Sequence, residues 1–482
     1  MATAKPAEHA HGATKKSSVA DIARWVQDFH AHPMRAAVLR QAKLLVLDTI
    51  GCGLAGREEE VSQAVLSVVS ANGGAGGGGD SGSTIIGTSR KTSPVDAVLA
   101  NGTLIRVLDL NDYVIGGLSG GMQIGGHPSD NIPVALAFGE ALDRPGRDVL
   151  TAIVIGYEVY GRLREMMSRD GCWDGVSLSG FAAPAMAGYL MGLDSNRLAH
   201  AIALGGARSA TSASVRNGDI SGAKSIANAL VAQSGALAAT LAEHGVTGPL
   251  TLLNQKRGMP DVFPNTEGMA GLTVPLSDNC YIMRSHVKAY PCVATGQGAV
   301  AAALQLHKRL GGRVADIEHI DVIMADHPFL GRQQQDPHRT HPDSREAADH
   351  SFNFIVAVGL VDGTFGLAQY DHERWNDPQI VGLMRKMTMS MDPAWNARAP
   401  GSYPCSVRVR MTDGTQHLEE VPDPPGFSRN GMKEDAVVEK FHRMTDGILN
   451  AGARDRLVAA VMALDSGGTL KPVFAAMAVG PD

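Results

Sequence analysis

The feature that most constrains the fold of this chain is an unbroken succession of helical segments between residues 93 and 252. The connections between these segments are short and contain Gly, Pro or Asp, which are typical turn residues. The predicted helices cover residues 19–29, 34–54, 136–142, 148–163, 180–193, 195–209 and 225–245. Glycine accounts for 56 of the 482 residues and aromatic residues for only 5%, so we expect helices that approach each other closely.

The sequence pattern changes near residue 279 to a mixture of strands and helices. Residues 317–324 and 406–411 are predicted strands, and Asp413-Gly414 turns the second of them back into 417–421 as a hairpin. Further helices are predicted at 296–310, 347–361, 379–389, 435–444 and 453–464.

Length and pattern together predict two domains, because 482 residues exceed what one hydrophobic core ordinarily serves. The expected fold class is mainly α, with a large all-helical domain plus a smaller α+β lid domain. The helical domain is expected over residues 1–278, with residues 432–482 returning to it, and the lid over 279–431. Residues 1–18 are expected to form a flexible tail, and the glycine-rich residues 72–83 a flexible loop.

Composition and charge argue against several classes of protein. The net charge is −6 and no long basic run occurs, so we expect no nucleic-acid partner. The most apolar stretch, residues 225–242, is too polar for a convincing membrane span, and residues 1–18 contain no apolar signal segment. The five cysteines are far apart, so neither a disulfide framework nor a closely spaced iron–sulfur cluster is expected. We therefore expect a cytoplasmic protein without a membrane partner.

Candidate chemistry begins in a polar, glycine-rich segment. Four titratable residues lie there within 22 residues of one another: Asp109, Asp112, His127 and Asp130. A carboxylate beside an imidazole is a common way to orient a general acid or base. The spacing of the glycines does not match a dinucleotide-binding fingerprint. A polar loop with a helix cap, and a metal site with His127 as a ligand, remain open alternatives.

Two lysines lie where the pattern favours an anionic ligand. Lys224 begins an alanine-rich helix, where its charge opposes the helix dipole unless an anion is bound; the alternative is a solvated surface lysine. Lys288 and Tyr290 alternate along an extended segment and so share a face, just before a helix N-terminus that attracts anions. Cys292 is a conceivable nucleophile, although cysteine is more often a small buried hydrophobe.

A last polar segment, residues 345–352, contains His350. This histidine could belong to the site, and the segment could equally serve as a helix cap. No H-x-x-x-H or H-E-x-x-H pattern accompanies His127, so the spacing does not favour a metal.

Several of these segments, taken in order, resemble the MmgE/PrpD family, which includes 2-methylcitrate dehydratase, cis-aconitate decarboxylase and iminodisuccinate epimerase. The most specific motif is GHPSDN at 126–131, after L-D-x-N-D at 108–112. The resemblance continues through LLVLDTIGCGLAG (44–56), GYEVYGRL (156–163), EHGVTGP (243–249), VKAYPCVATGQ (287–297) and DHSFNFIVAVGLVDG (349–363). It implies a two-domain homodimer with a cleft for small di- and tricarboxylates and no metal or organic cofactor.

Residue by residue, the resemblance implies four catalytic residues: Asp109, His127, Lys224 and Lys288. The lysines are expected to bind substrate carboxylates, and Asp109 to orient or partner His127. The expected substrate-binding residues are Asp112, Tyr113, Ser129, Tyr290 and His350. Two residues depart from the family pattern, since Tyr113 replaces the usual Thr or Ser, and Trp173 replaces a histidine of the decarboxylases and the epimerase.

The missing histidine favours dehydration over the other reactions of the family. We therefore expect a cofactor-independent lyase that removes water from a citrate-like, 2-methylcitrate-type hydroxy acid. The alternatives are an epimerase or isomerase of a related diacid, a decarboxylase of an aconitate-like acid, and a binding protein without catalytic activity.

Overall fold

The structure of the chain is a computed structural model. It describes residues 18–31, 34–73, 82–119, 122–166, 172–259, 271–325, 329–398, 402–426 and 432–479. Most of the predicted tail and most of the predicted loop at 72–83 lie outside the described residues.

The first part of the chain is a bundle of helices, as predicted. Helices α1 to α9 cover Val19–Asp28, Ala36–Ala55, Glu60–Gly73, Pro94–Arg106, Ile132–Ala141, Gly146–Met166, Ser179–Met191, Ser195–Ala207 and Ala223–Glu243. Small residues let the helices approach closely: a Cβ at Gly102 of α4 would lie only 2.9 Å from the Cβ of Ala229 in α9. In the described part of the chain, α9 is the one unbent helix long and apolar enough to cross a membrane, and 61% of its apolar window is buried.

The predicted all-helical domain, residues 1–278, also contains four short strands in its described part, and a fifth strand of the same sheets comes from residues 285–286. Strands β1 to β5 cover Ser83–Thr84, Lys91–Thr92, Tyr113–Ser119, Met122–Gly126 and Ser285–His286. β1 pairs with β2, and β3 pairs antiparallel with both β4 and β5. The glycine-rich residues 114–126, whose composition favours a loop, contain paired antiparallel residues of β3 and β4, and β5 from a distant part of the chain pairs with the start of β3.

The second part of the chain combines helices and a sheet, as predicted. Helices α10 to α15 cover Gln297–Leu310, Phe329–Gln335, Pro337–Thr340, Arg345–Ala348, Phe352–Asp362 and Pro378–Met384. Strands β6 to β9 cover Ile317–Met324, Met387–Met391, Cys405–Met411 and Gln416–Val421, in the sheet order β7-β6-β8-β9. β6 is parallel to β7 and antiparallel to β8.

Two of the helices predicted for the second part of the chain are only partly correct. The predicted helix 379–389 ends at Met384, and β7 follows, because the alternating Met-Thr-Met-Ser-Met sequence pairs with β6. The predicted helix 347–361 is broken between Ala348 and Phe352, because the Ser351 side chain caps α14 by accepting from the backbone N–H of Phe354.

The last described helices, α16 to α18, cover Glu434–Met444, Ala451–Met462 and Leu470–Met477. α16 packs on α2, and the two helices are joined by an ion pair of 2.6 Å between Lys440 and Asp48. Both charges are buried, and Lys440 also donates to the carbonyl oxygen of Leu110 at 2.8 Å.

Two large hydrophobic cores result. The first core joins residues of 19–282 to residues of 441–477, and the second core contains residues of 292–411. The mainly α fold class with a smaller α+β part is therefore confirmed, while the domain boundaries at 278 and 431 stay predictions.

Polar contacts join the two parts of the chain along a surface that we call the seam. Lys224 pairs with Asp349 across it at 2.7 Å, and the Arg345 guanidinium donates to the carbonyl oxygen of Val107 at 2.9 Å. The Ser344 hydroxyl donates to the carbonyl of residue 220 at 3.1 Å. The seam surrounds the site described next.

Candidate active site

A cavity of about 220 Å³ lies between the first core and the second core. Its charged lining consists of five arginines and three aspartates: Arg106, Arg164, Arg216, Arg332, Arg339, Asp109, Asp130 and Asp174. Arginine stays protonated at neutral pH, so positive charge exceeds negative charge even with every aspartate ionised. The cavity therefore suits a small ligand with several negative charges.

The structure brings four of the predicted site residues to the cavity lining: Asp109, Tyr113, His127 and His350. The other five are not lining residues: Asp112, Ser129, Lys224, Lys288 and Tyr290. The cationic side chains that line the cavity are arginines, and the prediction that Lys224 and Lys288 bind substrate carboxylates stays a prediction.

Asp109 lies just beyond α4 with a left-handed backbone, φ 48°, which aspartate tolerates better than most residues. This turn brings its Oδ1 onto the guanidinium of Arg106, and Lys288 Nζ donates to the same oxygen at 2.9 Å. Burial alone would raise the pKa of Asp109, but Arg106 and Lys288 hold it well below its usual range. Asp109 is therefore a carboxylate throughout the neutral pH range.

His127 lies between β4 and the short turn Pro128–Asn131. Its Nδ1 is 2.6 Å from the backbone carbonyl oxygen of Asp112, which can only accept, so Nδ1 carries the proton and Nε2 is an acceptor. Burial and the nearby Arg106 lower the pKa of His127 well below its ordinary value, so the ring is neutral. The Asp112 carbonyl orients this ring, while Asp109 acts on it through its charge.

The two predicted lysines are buried against carboxylates of the protein. Lys224 Nζ donates to both oxygens of Asp349, at 2.8 and 2.7 Å, and Lys288 Nζ donates to Asp109. Burial lowers the pKa of each lysine, and its carboxylate partner partly opposes this shift. The alternative of a solvated Lys224 is wrong, because only 1% of its side chain is exposed.

His350 reaches the cavity from the break between α13 and α14. Its Nδ1 hydrogen-bonds Oδ1 of Asp349, and Oδ2 of Asp109 lies 3.9 Å from the same nitrogen. The capping role that the sequence left open for this segment belongs to Ser351 at the start of α14 and to Ser344 at the start of α13.

Asp112 and Ser129 support the site from behind the lining. The Tyr157 hydroxyl donates to Asp112 Oδ2 at 2.8 Å, and burial raises the pKa of Asp112 to about 7. The Ser129 hydroxyl accepts from the side-chain amide of Asn111 at 2.8 Å. Both residues therefore fix the turn that carries His127.

Tyr290 and Cys292 lie on the second-core side and do not line the cavity. The Tyr290 ring packs edge-on against Phe365 with 6.2 Å between ring centroids, whereas Lys288 Nζ donates to Asp109. Burial raises the pKa of Cys292 well above its ordinary value, which keeps it a thiol and argues against a nucleophilic role.

Tyr113 and Tyr403 close one wall of the cavity. Their hydroxyl oxygens are 3.0 Å apart, and the Tyr113 ring also lies edge-on to His127. A Cβ at Gly125 would overlap the Tyr113 hydroxyl at 1.3 Å, so a glycine at this position is what accommodates the tyrosine.

Trp173 does not supply a group to the cavity, but its neighbour Asp174 does. Residue 173 forms an isolated β-bridge with Ser212, and Asp174 Oδ2 accepts from Arg216 Nε at 2.9 Å. The residue after Trp173 therefore contributes a carboxylate–guanidinium pair to the cavity lining.

In the described part of the chain, one group of side chains has the spacing of a metal site. Ligand-type atoms of Asp109, Asp349 and His350 lie within 4.8 Å of one another. Arg106 and the two buried lysines already pair with these carboxylates, so a divalent cation would meet three neighbouring positive charges. The charge balance therefore does not fit a metal.

Sequence patterns assigned no role to the five lining arginines, to Asp174 or to Asp349. Arg164 directly follows the GYEVYGRL motif, and Asp349 begins the DHSF motif, so both had a sequence signal. Arg332 and Arg339 lie in short helices that no motif marks, and only the packing of the second part against the first brings them to the cavity.

Fold and site together define a two-core protein whose cavity combines anion-binding arginines with histidines capable of proton transfer. The chain matches the family models described as MmgE/PrpD N-terminal domain, over residues 20–270, and MmgE/PrpD C-terminal domain, over residues 290–466. It belongs to the MmgE/PrpD family, as the motifs predicted.

The similar proteins catalyse different reactions. The chain is 23% identical to a cis-aconitate decarboxylase of Aspergillus terreus, over 95% of this chain and 96% of the relative. It is 27% identical to a 2-methylcitrate dehydratase of Salmonella typhimurium, over 83% of this chain and 84% of the relative. It is also 24% identical to a cis-aconitate decarboxylase of Mus musculus, over 93% and 91% of the two chains.

Proposed function

We propose that this protein is a cofactor-independent hydro-lyase that removes water from a citrate-like hydroxy acid of the 2-methylcitrate type. The observation that carries the proposal is a neutral His127, with Nε2 as an acceptor, in a cavity with an excess of arginines. The similarity to 2-methylcitrate dehydratases supports the same reaction.

The reaction begins with removal of a proton from a carbon next to a carboxylate. This step builds up negative charge, which is costly unless fixed positive groups lie close to it. The arginines of the lining hold the substrate carboxylates, and Nε2 of His127 accepts the proton. Asp109, which stays ionised, keeps Arg106 in a fixed position at the cavity, and Lys288, which is not a lining residue, pairs with the same carboxylate.

Decarboxylation of an aconitate-like acid is the second candidate, because two cis-aconitate decarboxylases match more than 90% of the chain. An epimerase or isomerase of a related diacid remains a further alternative. All three reactions need a cavity that binds carboxylates, so their products must distinguish them.

Proton NMR of the protein in D₂O with citrate, methylcitrate, aconitate and tartrate-like acids tests the proposal. An alkene signal from a hydroxy acid, or hydration of an added alkene, supports the hydro-lyase. Deuterium uptake without a new product supports the epimerase, and the signals of an acid that has lost one carboxyl group support the decarboxylase. Binding without any of these changes contradicts an enzymatic role.

Replacing Arg216 with glutamine is expected to raise KM roughly tenfold or more, because a hydrogen bond to a charged group contributes about 1.5–3 kcal/mol. Arg216 lines the cavity, and Asp174 fixes its guanidinium. Initial rates over a range of substrate concentrations measure the effect. Arg208, which is exposed and outside the cavity lining, supplies the matched control variant R208Q. An unchanged KM in R216Q contradicts the assignment.

We also propose that the protein works as a homodimer in the cytoplasm without a metal. All five cysteines are free thiols, which suits a reducing compartment. The charge balance at Asp109 and Asp349 supports independence from metal.

Two measurements test these proposals. Light scattering is expected to give twice the 50.5 kDa mass of the chain. The protein is expected to keep its full activity after treatment with a chelator.

A further inference from the structure

We infer that His350, oriented by Asp349, is a second proton-transfer residue of the site and protonates the hydroxyl group that leaves. This inference rests on the proposed function, since it assigns one half of the dehydration to a residue. His127 belongs to the first part of the chain and His350 to the second, so the cavity receives one imidazole from each side of the seam.

The contacts of His350 and His127 differ, and the difference favours His350 as the general acid and His127 as the general base. The Nδ1 of His127 faces a neutral carbonyl oxygen, whereas the Nδ1 of His350 faces the Asp349 carboxylate, with Asp109 3.9 Å away. A carboxylate on Nδ1 fixes the ring and stabilises the imidazolium form. Lys224 holds the Asp349 carboxylate in place through both oxygens.

The nitrogen of His350 that remains for the cavity is Nε2, because Asp349 occupies Nδ1. The side chain is nearly buried, with 7% of the residue exposed. A surface or capping role does not account for a buried histidine that lines a cavity and is tied to a carboxylate. The backbone is held separately, because the Gln333 side-chain amide donates to the His350 carbonyl at 2.7 Å.

The proposed step conserves protons and electrons without any co-reactant. His127 takes the proton from the carbon, and the electron pair of that C–H bond forms the C=C bond. The C–O bond breaks, and the departing oxygen takes the proton of His350 Nε2 and leaves as water. Between turnovers His127 loses its proton to solvent and His350 regains one.

The test compares two leaving groups: a hydroxyl group, which must be protonated to leave as water, and fluoride, which needs little protonation. The substrates are the hydroxy acid identified by NMR and its analogue with fluorine in place of the hydroxyl. For H350N, we expect kcat for water loss to fall roughly 10²–10⁴-fold, while fluoride loss falls less than about threefold. For H127N, we expect both to fall, because the C–H bond must break in either case. The exposed His341 supplies the control variant H341N.

Asp349 is a positioning residue in this scheme. D349N is expected to slow the loss of water but not the loss of fluoride from the fluoro analogue. H350N is expected to show the same pattern, because Asp349 acts through the imidazole of His350. If H350N fails to fold, H350Q replaces it, since the Gln333 bond to the backbone is independent of the side chain.

Two failures are distinguishable. If the wild type releases no water from any acid, the proposed function is wrong and the role of His350 in it is overturned as well. If the wild type releases water but H350N keeps the full rate, or loses water and fluoride elimination equally, the hydro-lyase stands and the inference alone is overturned.

Discussion

Replacement of His127 with asparagine is expected to lower kcat/KM for water loss by roughly 10²–10⁴-fold, the usual contribution of a general base. Nδ1 is tied to the Asp112 carbonyl, so Nε2 is the proton acceptor at the cavity, and asparagine cannot replace it. Formation of the alkene, followed by NMR or by ultraviolet absorbance, measures the rate. Retention of more than about a tenth of kcat/KM would count against His127 as the base.

The same assignment predicts the acidic limb of the pH profile. Because burial and Arg106 lower the pKa of His127, its basic form persists as the pH falls below the ordinary histidine value of 6.5. The wild-type kcat/KM should therefore decline only at a pH well below 6.5. A decline centred at or above that value contradicts the neutral His127. H341N, which alters an exposed histidine, should show the wild-type profile.

Replacement of Lys440 with methionine is expected to lower the free energy of unfolding by about 3–5 kcal/mol, because it leaves the buried carboxylate of Asp48 without its partner. The pair joins α16 to α2, and both side chains are almost fully buried. Lys440 also satisfies the Leu110 carbonyl, one residue from Asp109, so the variant should lose activity as well as stability. Urea unfolding followed by circular dichroism measures the loss.

The double variant D48L/K440M is the control for this stability prediction. Replacing both members of a buried ion pair with apolar residues is often neutral or stabilising, so the double variant should recover most of the loss. Lys471 and Asp143 form an ion pair in which both side chains are exposed. The variant K471M removes this pair and should change the free energy of unfolding by less than about 1 kcal/mol. Equal stability of K440M and the wild type contradicts the structural role of the pair.

The fold class followed from sequence because the helices carry strong local signals, such as the Ser18 capping box of α1. The two predicted helices that were wrong in part lie where another signal competed with helical periodicity. Met387–Met391 alternates with a period of two and has a strand beside it, and Ser351 begins a new helix inside an apolar run. Both signals are local, and both could have been found by testing each segment against a strand pattern and a cap pattern.

The site was harder to predict, because its parts meet only after the two cores pack. Asp109 and His127 are close in sequence and carry a motif, and both line the cavity. Lys224 was correctly singled out as unusual, but its anionic partner is Asp349, 125 residues away. Sequence patterns reveal an unbalanced charge, but they do not reveal whether a ligand or a distant carboxylate balances it.

The seam carries a thermodynamic consequence. Its described contacts include the Lys224–Asp349 pair and hydrogen bonds from Ser344 and Arg345. A motion that separated the two sides of the seam would expose charged groups and carbonyl groups to water. Exposure of polar surface lowers the heat capacity. Unfolding of either core exposes apolar surface and raises the heat capacity. Calorimetry can therefore separate an opening of the cavity from partial unfolding by the sign of the heat-capacity change.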